Sequence, residues 1–434
     1  MKKLFGTKNT LRENTFPMNL FLILSGLSFL CVIILAALSE GGALNDIFYG
    51  SDYFNDFYNS MCDAGTKGVY AEKGVIYPPL SSLFFYLISK MVPNMYVMLD
   101  FETGDRHQIY TSGLCQIIFL LFIVVTVLAL GMLFYDILQR TASKIGSFFT
   151  SFFLMMSFPI LYCIQRGNVA LLAMLLTAFF VFYRNSDNKV LREISYIALA
   201  VAAGFKIFPA LFGLLLIFDK KYKEAARLVV YGLLAFFVPF AFYGGFEGIS
   251  IFIKNIFSFS EESSCYSIYG PSITNVLSWL VFGLKLDLGS LMNFSQIAVW
   301  LCCAFIMFFA DEEWKRLLGI SFLFANVNST SRVYILIFIL LPFISFILSR
   351  PSGKKSVLYS ILFCSLLVTI PCFWYFRMDS ITVALHNGLG IDVNTINLLK
   401  KGNVMTEPFI VLLFEIILVI DTAGSLKHKK IKHD

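Results

Sequence analysis

The run GLCQIIFLLFIVVTVLALGMLFY, residues 113–135, contains no charged side chain. As an α-helix it would extend about 34 Å, slightly more than the hydrocarbon thickness of a bilayer, and it reads as a membrane crossing. The same pattern recurs outward from it. Upstream, MNLFLILSGLSFLCVIILAAL (residues 18–38) follows Lys2, Lys3, Lys8 and Arg12. It is longer than the apolar core of a signal peptide, which predicts an uncleaved first span. Downstream, apolar runs predict crossings near 147–164, 168–183, 194–205, 207–218, 226–243, 293–310, 316–327, 333–348, 356–376 and 408–424, twelve in all with the first two. Composition agrees: 58 % of the 434 residues are apolar and 14 % charged, against about 25 % charged in a soluble domain. A soluble enzyme, a secreted disulfide scaffold and a DNA-binding domain are excluded. The expectation is an all-α polytopic membrane protein, with residues 1–434 forming a single integral-membrane domain.

Charge sets the orientation. The basic N-terminus and the tail KHKKIKHD (within 425–434) place both ends in the cytoplasm, and Arg140, Lys144, Arg184, Lys189, Arg192, Lys220, Lys221, Lys223, Arg227, Arg350, Lys354 and Lys355 all fall in inside loops. The net charge of +6 sits in these short tracts rather than along one face that could follow phosphates, so no nucleic-acid partner is expected. Membrane lipids are the expected surroundings. The first outside loop, residues 39–112, is long, acidic and aromatic, and the apolar segments 78–92 and 273–284 are too short for crossings and read as helices in the outer interface. Of nine cysteines, only Cys62 and Cys265 fall in outside loops, where a disulfide between them is one possible arrangement; the others behave as small apolar residues within spans.

Three features carry chemistry. In SDYFNDFYNSMCDAG (51–65), Asp52, Asp56 and Asp63 fall on one side of a predicted helix, and Tyr53, Phe54, Phe57 and Tyr58 draw it toward apolar surroundings. The ordinary reading is a solvated face; a partly buried carboxylate there could instead act as a general base toward a hydroxyl. Arg166, Lys206 and Arg332 stand at span ends or breaks on the same predicted side. Snorkelling explains any one of them, but three converging cations suit an anion such as a lipid phosphate. Asn168, after Gly167, can cap the next helix or touch a ligand. The four histidines are scattered, no metal-ligand spacing occurs, and there is no phosphate-binding Walker loop, so no metal or cofactor is expected.

The order of DFYNSM at Asp56, Tyr70 followed by Tyr77-Pro78-Pro79, the Arg166-Gly167-Asn168 turn opening a span and the GFKIFP break at Lys206 and Pro209 resembles glycosyltransferase family 87. Those are integral-membrane enzymes of GT-C fold, similar to the polyprenyl-phosphate-mannose-dependent α-mannosyltransferases of bacteria. The resemblance implies a GT-C-like bundle of about twelve transmembrane helices with juxtamembrane helices in the first extracytoplasmic loop. It implies inverting transfer of a mannose-like hexose from a polyprenyl-phosphate donor to a lipid or glycan acceptor outside the cytoplasm of a bacterial plasma membrane, without a nucleotide. It makes Asp56 the catalytic base, with Asp52 in reserve, and places Arg166, Lys206 and Arg332 at the donor phosphate. Asp52, Tyr58, Tyr77, Asn168 and Tyr334 would line the substrate site. Where family members often carry a histidine before the tyrosine of the late outside turn, this chain has Arg332 before Tyr334. A lipid-linked glycan flippase and a polysaccharide polymerase or ligase are the rival readings; neither requires the acidic aromatic loop.

Overall fold

In the computed structural model the described residues are 15–48, 53–65, 67–92, 109, 111–262, 270–277, 289–327, 333–371, 373–378, 381–384, 390–393 and 396–433. The apolar runs fold as helices, the one local structure that satisfies every backbone N–H and C=O within its own segment when no water is near. Helices α1 (Phe16–Leu38) and α2 (Gly42–Ile47) precede α3 (Asn55–Asp63) and α4 (Pro79–Ser89), both in the acidic loop. Then follow α5 (Gly113–Leu138), α6 (Lys144–Met155), α7 (Phe158–Arg166), α8 (Ala170–Tyr183) and α9 (Lys189–Phe205). A 3-10 turn, Phe208–Gly213, leads into α10 (Leu214–Phe218) and α11 (Tyr222–Phe237), and a second, Val238–Phe242, into α12 (Phe246–Glu262). The remainder comprises α13 (Gly289–Phe309), α14 (Glu313–Val327), a 3-10 segment Val333–Ile339, α15 (Leu340–Leu348), α16 (Lys354–Leu367), strands β1 (Phe373–Met378), β2 (Ile381–Ala384), β3 (Gly390–Val393) and β4 (Ile396–Lys401), and α17 (Gly402–His433).

Among the described residues, Phe16–Leu38, Gly113–Leu138, Tyr222–Phe242 and Thr406–Lys427 are long and apolar enough to cross a membrane, and α6 with α7, bent by 45°, would make a fifth crossing. The other apolar helices are shorter. Ile23, Leu27 and Leu30 on α1, and Leu120, Leu121, Val125 and Leu128 on α5, stay exposed. Such continuous apolar faces suit lipid rather than water, and the chain is a membrane protein.

Two expectations are corrected. The span placed at 356–376 ends as a helix at Leu367 and gives way to strands, with Phe373 opposite Lys401 and Met378 opposite Ile396, then Ile381 opposite Val393 and Ala384 opposite Gly390. Pro371 has no N–H to bond the Leu367 carbonyl and its ring would collide with it, and aromatic and β-branched residues follow. The protein is therefore predominantly rather than wholly helical. The shared helix for Asp52, Asp56 and Asp63 is also shorter than expected. Phe54 takes a left-handed backbone (φ 59°), so α3 starts only at Asn55; Asp52 lies outside the described residues.

Contacts group the chain into two compact units. One comprises residues 52–133 and 163–264, the other 1–51, 134–162 and 265–434. In the first, Phe57 of α3 is fully buried, 5.4 Å from Phe85 and 5.2 Å from both Phe119 and Phe122, which seats α3 between α4 and α5. Helix α4 runs so close to α9 that a Cβ at Gly204 would lie 2.7 Å from Leu80 Cδ2. In the second unit, Trp314 lies 4.9 Å from both Phe346 and Tyr359, and Phe363 lies 5.1 Å from Phe414. Lys315 there pairs with Glu312 and Asp421, each at 2.6 Å, and Asp421 also accepts from Lys355 and from Tyr359 at 2.9 Å. Buried Asn326 donates to buried Glu415 at 2.7 Å, tying α14 to α17.

Candidate active site

Asp56 occupies the first turn of α3, where the unpaired N–H groups of the helix start favour a carboxylate. Its partners come from a turn more than a hundred residues away. Helix α7 ends with Gly167 N donating to Ile164 O (2.9 Å) and Asn168 N donating to Cys163 O (3.1 Å), the two bonds of a Schellman cap. That cap needs a left-handed residue, and Gly167 has φ +65°. It also needs one without a side chain, because a Cβ there would lie 2.9 Å from Phe57 Cβ and 3.2 Å from Phe54 Cα. The two backbones are joined at this point: Phe54 N donates to Gln165 O at 2.7 Å. A left-handed phenylalanine is strained by roughly 1–3 kcal/mol, and such strain persists where surrounding contacts fix it.

The turn delivers two side chains to one carboxylate. Arg166 Nη2 pairs with Asp56 Oδ1, and Arg166 Nε lies 3.4 Å from Oδ2; the side chains are 7 % and 14 % exposed. Asn168 Nδ2 donates to Oδ2 at 2.6 Å while its Oδ1 accepts from Ala170 N at 2.9 Å, so one amide both caps α8 and orients Asp56. Both oxygens of the carboxylate are thus engaged from the one turn.

Lys206 arrives from α9. The helix stops at Phe205 because Pro209 cannot donate to the Phe205 carbonyl, and Lys206 itself is extended (φ −144°, ψ 132°). Its ammonium lies 4.2 Å from the centre of the Tyr77 ring, and the charge of Asp56 acts on it within the same unit. Gly204 makes this possible by admitting Leu80 of α4, the helix that Tyr77 precedes. One carboxylate and two cations give these three groups a net charge of +1.

Of the other expected site residues, Tyr58 and Tyr334 fall among the described ones. Tyr58 is 2 % exposed and packs 5.8 Å from Phe119, as part of the seat of α3. Asp63, at the far end of α3, lines a cavity of about 10 Å³ with Ser60, Tyr77 and Ser82. Tyr334 is half-buried in the 3-10 segment of the other unit. Asp52 and Arg332 lie outside the described residues, as does Cys265, while Cys62 is buried in α3. Among the described residues no three His, Cys, Asp or Glu side chains converge to hold a metal ion. Sequence reasoning missed Phe54 and the Gln165 carbonyl, since neither residue type signals a backbone junction; the Gly in RGN was the one visible sign of it.

The profile of glycosyltransferase family 87 matches residues 76–328, more than half of the chain. The chain belongs to glycosyltransferase family 87. No curated protein and no solved structure gives a significant match to it. The family 87 match includes Tyr77, Arg166, Asn168 and Lys206, stops short of Arg332 and Tyr334, and begins after Asp56. Asp56 is thus joined to the matched region by its contacts with Arg166 and Asn168. As a family 87 member the protein is a membrane glycosyltransferase, which requires a sugar donor and an acceptor.

Proposed function

We propose that the protein transfers a mannose-like hexose from a polyprenyl-phosphate donor to a hydroxyl of a lipid or glycan acceptor, with inversion, on the extracytoplasmic side of a bacterial plasma membrane. The observation that carries this reading is the Asp56 carboxylate held by Arg166 and Asn168 with Lys206 in its field. The acceptor oxygen attacks the anomeric carbon as the bond from that carbon to the phosphate oxygen breaks. The acceptor proton passes to Asp56, and the electron pair leaves with the polyprenyl phosphate. A single displacement inverts the anomeric centre. Charge grows on the leaving phosphate as the reaction proceeds, and a fixed cation there stabilises the transition state more than the bound substrate. Lys206 takes this role, while Arg166, paired with Asp56, holds the carboxylate in position. No nucleotide takes part. In this reading both termini are cytoplasmic and the site opens at the outer leaflet, where a prenyl chain can lie along the exposed apolar helix faces.

Asp56→Asn tests the reading. The amide keeps the shape and an acceptor for Arg166 but cannot take the acceptor proton. In membranes supplied with labelled polyprenyl-phosphate sugars, transfer should fall at least 100-fold, the lower range of acid–base contributions, with expression unchanged. Full transfer by this variant would remove Asp56 from the chemistry and leave its ion pair a structural tie.

A further inference from the structure

Lys206 stands on the Tyr77 ring, and the height of that ring is set from elsewhere. Tyr70, 3 % exposed, inserts among Phe240, Tyr243 and Phe252, with ring centres 5.4–5.7 Å away. Its hydroxyl donates to the Tyr77 carbonyl at 3.1 Å and lies 3.2 Å from Ser82 Oγ in α4, from which it can accept. Burial pushes the Tyr70 phenol well above its ordinary range, so this donor keeps its proton. The other side of the same turn is held by α12: Asn255 Nδ2 donates to Tyr70 O at 2.9 Å and to Val75 O at 3.3 Å. The backbone from Tyr70 to Tyr77 therefore has two side-chain clamps, neither of which touches Asp56 or Lys206 in this arrangement.

We propose that Tyr70 and Asn255 are positioning residues that fix Tyr77 beneath the Lys206 ammonium and thereby set the affinity of the site for the phosphate of a polyprenyl-phosphate ligand. The physical basis is the kind of partner a ring makes. An aromatic face attracts the ammonium without itself adding the negative charge that would repel phosphate. The ring also limits the many rotamers of a lysine, so less freedom is lost when phosphate binds. If the turn relaxes, Lys206 loses the support of the ring. The inference rests on the phosphate role of Lys206 proposed above.

The test measures binding of undecaprenyl phosphate to the purified full-length protein in detergent, with undecaprenol as the uncharged control. Wild type should prefer the phosphate. Tyr70→Phe keeps the ring in its aromatic pocket and removes only the clamp, and Asn255→Ala removes the second clamp. Each should lose roughly tenfold in phosphate binding, within the range of a cation–π contact, with undecaprenol binding unchanged; Tyr77→Leu should lose at least as much. In a Lys206→Met background Tyr70→Phe should cause no further loss, because residues acting through one contact are not additive. A general packing role would weaken both ligands and add to Lys206→Met. If wild type binds the alcohol as well as the phosphate, the phosphate reading of the site fails. If wild type discriminates and Lys206→Met abolishes discrimination while Tyr70→Phe and Asn255→Ala retain it, the positioning inference alone is overturned.

Discussion

Replacing Gly167 by alanine adds one methyl group at the place where the Asp56 and Arg166 backbones meet. Two costs can be separated. The left-handed backbone (φ +65°) costs an L-residue about 1–2 kcal/mol. The new Cβ would lie 2.9 Å from Phe57 Cβ and 3.2 Å from Phe54 Cα, and overpacking of this kind adds about 1–3 kcal/mol. Neither neighbour can yield cheaply, since Phe57 is wedged among Phe85, Phe119 and Phe122 and Phe54 is tied to Gln165 O at 2.7 Å. The sum, roughly 2–5 kcal/mol, is enough to force the RGN turn away from α3 and open the Arg166 and Asn168 contacts to Asp56. Sugar transfer should fall about 100-fold, the usual penalty for an ångström of misplacement, and thermal unfolding in detergent should come several degrees earlier. Gly167→Asn separates the terms, because asparagine tolerates the left-handed region but still carries a Cβ. If backbone conformation dominates, Asn recovers most of the activity lost with Ala; if the close approach dominates, the two variants behave alike. An alanine variant with wild-type unfolding and wild-type transfer would refute the claim that this junction builds the site.

The apolar runs were legible because helix is the necessary answer to lipid, and the helix ends near 38, 166, 183 and 205 lie close to where Gly, Pro and polar residues punctuate those runs. The site was legible in parts. Asp56, Asn168 and Lys206 each stood out by type and neighbourhood, but pairing across 110 residues leaves no trace in one sequence, so Arg166 read as a cation for phosphate and is found facing Asp56. Phe54 was opaque for the opposite reason: a bulky residue is the last expected in a left-handed backbone, and its conformation is imposed by the tertiary bond to Gln165. The strands at 373–401 carried a readable signal in FWYFRM and ITVA after Pro371, which the hydrophobicity of the preceding helix concealed.

Arg166→Lys keeps the charge but loses the fork that meets both Asp56 oxygens, and kcat should fall about tenfold or more with little change in donor KM, read from initial rates at saturating and limiting donor. Asn168→Ala removes the cap of α8 and one donor to Asp56; unfolding should be easier by about 1 kcal/mol, and Asn168→Asp should restore the cap but not the rate, since it sets a second carboxylate against the first. The ion pair itself yields a sharper distinction. Were Asp56 and Arg166 present to hold α3 against the RGN turn, removing both would loosen the protein. A largely buried pair is a poor stabiliser, however, because desolvation offsets most of its attraction, and apolar residues of similar size commonly serve as well or better by about 1–4 kcal/mol. The double variant Asp56→Leu with Arg166→Met should therefore unfold at or above the wild-type temperature while transferring no sugar, whereas Asp56→Leu alone, which strands a buried guanidinium, should be less stable. A double variant that unfolds as early as Asp56→Leu alone would show the pair to be a structural tie, and the strain held at Phe54 would then serve the fold rather than the reaction.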